Sequence, residues 1–74
     1  MRESVKMVYE TYKIIQDNQL SNRHELQSFL LQDCKRYERH LDFVMTDTIY
    51  FEPQAVQDML NRLKARLGNE PICF

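Results

Sequence analysis

The densest polar stretch of the chain is Asp33-Cys34-Lys35-Arg36-Tyr37-Glu38-Arg39-His40. On a helix, Lys35 and Arg39 stand one turn apart, away from an apolar stripe, where two cations could grip the phosphates of a nucleic acid. Glu38 and Asp42 dilute that strip, and exposed helix cations commonly pair with acids of this kind. A solvated helix face is therefore the leading reading. Phosphate contact through Lys35, Arg36 and Arg39, with Arg23 from the start of the same helix, is the alternative. Cys34 beside two cations has the setting of an activated thiol, because nearby positive charge favours the thiolate. Its place in the apolar stripe predicts a buried, inert thiol instead. Asp33 and His40 fall at one edge of that stripe, where polar side chains normally satisfy hydrogen bonds at the core boundary. At an interface, His40 would make a pH-sensitive contact.

Metal and catalytic chemistry find little support. Four residues after His24 comes Ser28, and four after His40 comes Val44, so neither imidazole has a second ligand on its own helix face and no zinc site is expected. The single glycine, Gly68, ends a helix and cannot form a phosphate-cradling loop. There is no nucleophile elbow and no acid pair with flanking support. A chain of 74 residues also buries only about 60% of its unfolded surface, which leaves little room for an enclosed cavity. No enzyme and no cofactor are expected.

Ten Lys and Arg against eleven Asp and Glu give a net charge of −1, so no global positive field draws the chain to nucleic acid or an anionic membrane. Cys34 and Cys73 are too few and too far apart for a disulfide framework; reduced thiols and a cytoplasmic location are expected. No apolar run approaches the roughly 18 residues of a membrane span, and Met-Arg-Glu-Ser-Val-Lys is too charged for the apolar part of a signal peptide. No membrane association is expected.

The elements that position these residues are helical. Between Pro53 and Gly68, Val56, Met59, Leu60, Leu63 and Leu67 form one narrow stripe and predict a helix over about 53 to 67. A first helix over about 3 to 17 carries Val5, Val8, Tyr12 and Ile15 on one face, while Met7 and Ile14 project from another. Apolar residues over more than half its circumference must be covered on two sides, by helices of its own chain or by a second copy. Asn22-Arg23-His24-Glu25 has the pattern of a capping box and starts a second helix running to about residue 45, with Leu26, Phe29, Leu30, Cys34, Tyr37, Leu41 and Val44 in a continuous stripe. Residues 46–51 are β-branched and aromatic, and read as an extended connector or one short strand. Arg23, His24 and Gln27 at the start of the second helix invite comparison with a DNA-reading helix-turn-helix, but that helix is twice the usual length and the turn lacks glycine.

The expected fold is a single all-α domain over residues 1–74: three helices, the first two an antiparallel hairpin with the third packed across them, in a homodimeric bundle. Eight aromatic residues are more than so small a core takes up. Tyr9 at the edge of the first helix, Phe43 off the stripe of the second and Phe74 in the tail join Met7 and Ile14 as candidate protein-interface anchors. The function expected is that of a small, non-catalytic cytoplasmic regulator or adaptor that binds another protein through exposed apolar helix surface. The alternative is a dimeric DNA- or RNA-binding regulator using Arg23, Lys35, Arg36 and Arg39.

Overall fold

The computed structural model describes residues 2–68, with side chains from Val5 onward. Among these residues there are four α-helices and no strand: α1 Arg2–Asn18, α2 Arg23–Leu31, α3 Glu38–Thr46 and α4 Pro53–Leu67. α4 forms as its sequence requires. Pro53 presets the first-turn dihedral, Val56, Leu60, Leu63 and Leu67 are buried, and Lys64 and Arg66 oppose the dipole of the last turn. Gly68 then takes φ 69°, a conformation that a Cβ would strain, although no neighbouring atom crowds the position. At the end of α1, Gln19 occupies the left-handed region without being glycine (φ 52°), and the Leu20 N–H closes on the Ile15 carbonyl at 3.0 Å.

α2 begins as the capping pattern predicts: the Asn22 side chain accepts the Glu25 N–H at 2.9 Å. The Glu25 carboxylate reaches back to the Ser21 N–H at 2.6 Å, one residue before the cap itself. The helix does not continue to residue 45. It ends at Leu31, a run of turns covers Gln32 to Tyr37, and α3 begins at Glu38. Three-residue closures tighten the end, Gln32 N–H to Phe29 and Asp33 N–H to Leu30, and Asp33 then sustains the turn by accepting the Arg36 N–H on its side chain and the Tyr37 N–H on its carbonyl. An unbroken helix over 23–45 would extend about 34 Å and hold Leu26 and Val44 about 27 Å apart along its axis; the break is what lets both reach one core. Folded back, α2 and α3 form a hairpin whose open end is tied by the Arg23 guanidinium donating to the Asp47 carbonyl at 2.9 Å. Leu26, Leu30 and Val44 then reach the same core with no exposure.

The pairing of helices also differs from the sequence expectation. α1 packs most extensively on α4, with its end against the start of α4 where Gln16 donates to Gln57 at 2.7 Å, and it meets α3 on another side. The two-sided cover demanded by the wide apolar arc of α1 is thus supplied within the chain. Residues 47–52 are a connector with no strand; it buries Ile49, and its Tyr50 N–H donates to the Tyr12 hydroxyl at 3.3 Å. Tyr12 itself is almost fully buried.

Two outcomes follow from this packing. Leu30→Ala is expected to lower unfolding free energy by about 2–5 kcal/mol, while Leu31→Ala next to it changes it by no more than about 0.5 kcal/mol, as read by urea denaturation. Burial raises the Tyr12 hydroxyl above the ordinary tyrosine value, opposed by the hydrogen bond from the Tyr50 backbone, with smaller raising contributions from Tyr50 and Asp47. The unfolded tyrosine therefore releases its proton first, and stability present below about pH 10 is lost as pH rises above it. Tyr12→Phe should flatten that alkaline loss, at a cost near neutrality of about 1 kcal/mol for the acceptor taken from Tyr50.

Candidate functional site

The break between α2 and α3 rearranges the polar stretch. His40, in the first turn of α3, is buried, with its Nε2 3.2 Å from the Glu10 carboxylate of α1. A carboxylate only accepts, so Nε2 carries the proton; Nδ1 is buried and has no hydrogen-bond partner. The Tyr37 ring meets the imidazole edge-on, with centroids 5.4 Å apart. A cleft of about 310 Å³ opens beside the pair, lined by Lys13, Asp17, Arg36 and Tyr37 as well as Glu10 and His40. Lys13 and Asp17 are 3.5 Å apart on the surface of α1. The pairing of His40 with Glu10 fastens α3 to α1. Asp33, expected beside His40 at the core boundary, is exposed and occupied in the turn.

Cys34 is exposed, contrary to the buried thiol expected from its place in the stripe, because residues 32–37 are no longer helical and the side chains of 32–36 leave the core face, Tyr37 alone of the run packing back against it. For the same reason Lys35 and Arg39 do not form a strip on one helix. Lys35 and Arg36 lie in the turn and Arg39 in α3, all exposed. The Arg36 guanidinium lies 5.5 Å from the centre of the Tyr37 ring. Arg23 is engaged with Asp47 at the mouth of the hairpin. α2 is only nine residues long, so its length is no objection to a DNA-reading helix. The objection is the engagement of Arg23, the residue best suited to a base edge. Among the described residues no group of three His, Cys, Asp or Glu side chains is placed to hold a metal ion.

The apolar candidates divide differently. Tyr9, Ile14 and Phe43 are half-buried and pack against the core, Met7 is half-buried, and Phe74 lies outside the described residues. Among the described residues, the large apolar side chains most open to solvent are Met45 (73% exposed), Leu31 (60%) and Tyr50 (52%). Leu31 and Met45 each lie about 100° around their helix from a fully buried stripe residue, Leu30 and Val44, so periodicity could have flagged both. Tyr50 stands in the connector, where helical periodicity gives no warning of exposure. A second, larger opening of about 780 Å³ lies where the end of α1 and the following turn meet the connector and the start of α4. Ile15, Leu20, Phe51 and Val56 contribute its apolar lining, and Ser21 and Glu52 are among its polar residues.

With Cys73→Ser as background, the remaining thiol, Cys34, should react stoichiometrically with a disulfide reagent in the folded protein, and Cys34→Ser should abolish that reaction without changing helical content by circular dichroism.

No family model matches the chain, and neither curated proteins nor solved structures give a significant match.

Proposed function

We propose that the protein is a small, non-catalytic helical regulator or adaptor that acts in the cytoplasm by binding another protein. The observation that carries this reading is the exposure of Met45 and Tyr50, 73% and 52%, on a molecule whose other helix-borne apolar side chains are mostly taken into its core. Met and Tyr are favoured interface anchors: Met adapts its shape to a partner, and Tyr brings a large rigid ring with a polar tip. The two flank Asp47, whose carbonyl is held by Arg23, so they are displayed from a fastened segment and lose little conformational freedom on binding. No helix among the described residues is long and apolar enough to cross a membrane.

The test is affinity capture from a nuclease-treated native lysate, with the tagged chain compared against Met45→Glu combined with Tyr50→Glu. Both positions are exposed, so helical content should be unchanged. A protein retained in stoichiometric amount by the parent and reduced at least about tenfold by the double variant is the expected result. Capture lost on nuclease treatment, with nucleic acid recovered in the untreated sample, would replace this reading with nucleic-acid binding through Lys35, Arg36 and Arg39.

A further inference from the structure

We propose that the opening between α1 and α4 receives the α2–α3 corner of a second copy of this chain, giving a head-to-tail contact. The receiving surface has an apolar lining of Ile15, Leu20, Phe51 and Val56. Among the described residues its one charged lining side chain, Glu52, is acidic, and a second carboxylate, that of Glu25, lies beside it. Glu52 lines it, with a side chain that makes no capping bond to α4, and the Glu25 carboxylate sits on the backbone N–H of the lining residue Ser21. Among the described residues no Lys or Arg belongs to the lining. An occupant suited to it brings one apolar side chain with cations next to it, and carboxylates at the rim disfavour a nucleic acid or an acidic segment.

The chain itself displays that combination. Leu31 is 60% exposed at the end of α2, and Lys35 and Arg36 follow it, exposed, in the turn, where the one intervening carboxylate, Asp33, is engaged by the Arg36 N–H. The Arg36 guanidinium lies 5.5 Å from the centre of the Tyr37 ring and, among the described residues, forms no salt bridge. A copy cannot fill its own opening. Leu31 closes α2 while Ser21 precedes its start, and the nine residues between hold them about 13 Å apart. The knob and the opening are therefore satisfied only between molecules. Because they are different surfaces, each bound copy leaves one knob and one opening unused, and the contact propagates or closes into a ring rather than stopping at a two-fold dimer. A stable contact of ordinary size takes about 800 Å² from each partner. That is a modest share of the chain's 5410 Å² accessible surface.

Sedimentation equilibrium on the full chain tests this, with two variants confined to exposed positions: Leu31→Asp, which removes the knob, and Ser21→Arg with Glu52→Arg, which blocks the opening and reverses its charge. Circular dichroism confirms folding, with Leu31→Ser and Glu52→Lys as milder substitutes should either variant lose helix. The parent should gain mass past the dimer between about 10 µM and 1 mM, less so in high salt, and each variant alone should stay monomeric. An equimolar mixture of the two should form a dimer and nothing larger, since it restores a single intact knob-and-opening pair. A parent that stays monomeric, variants that associate like the parent, or a mixture that stays monomeric would each overturn the proposal. Met45 and Tyr50 are untouched in both variants, so capture of a foreign protein through them is tested separately from self-association.

Discussion

One core has to be reached by apolar side chains distributed along the whole chain, and the reach of a straight helix is the constraint on how that happens. Tyr12 and Ile15 come from α1, Leu26 and Leu30 from α2, Val44 from α3, Ile49 from the connector, and Val56, Leu60 and Leu63 from α4. On an unbroken helix, Leu26 and Val44 would stand about 27 Å apart along the axis. Both are without exposure in the folded chain. Burying both is worth several kcal/mol, more than the few hydrogen bonds a helix forgoes in one turn, and Asp33 replaces part of those by holding the Arg36 and Tyr37 N–H groups. The fold-back is thus the cheaper solution for a chain too small to support two cores.

The polar residues take their surroundings from that fold-back. It carries Asp33 and Cys34 outward into the turn and brings His40 inward against Glu10 of α1, where the imidazole and the Tyr37 ring help close the side of the core. It separates Lys35 from Arg39 as helix neighbours, and it closes the hairpin through Arg23 and Asp47. The chemical character of each residue is unchanged; what differs is which of them are dry, which are wet and which are already engaged. The stretch that looked most like a phosphate-gripping face is instead a corner with an exposed leucine at its edge.

The apolar residues left outside the core give the molecule its capacity for recognition. Small domains bury a modest fraction of their surface, so isolated exposed apolar residues are ordinary. Here Met45 and Tyr50 are held on either side of a tied backbone segment, and Leu31 stands where two cations follow it, which sets them apart from scattered surface residues. Much of the apolar surface of α1 is covered by α4 and α3, with Ile14 and Tyr9 packed against the core.

Local patterns determined much of the architecture. The all-helical character, the start of α2 at its Asn22 cap, and the whole of α4 between Pro53 and Gly68 are legible because propensity, capping and stopping chemistry act over a few residues and agree with one another. The β-branched and aromatic run 46–51 reads as an extended connector or one short strand; 47–51 form a connector without a strand, and Thr46 belongs to α3. The break at 32–37 was not legible, since no glycine or proline marks it, the apolar stripe runs straight through it, and the energy that favours it comes from side chains meeting across the core. The same holds for the pairing of α1 with α4, the burial of His40 against Glu10, and the exposure of Cys34 and Tyr50. Each depends on which surfaces face one another, a property of the assembled helices that periodicity along one helix does not contain.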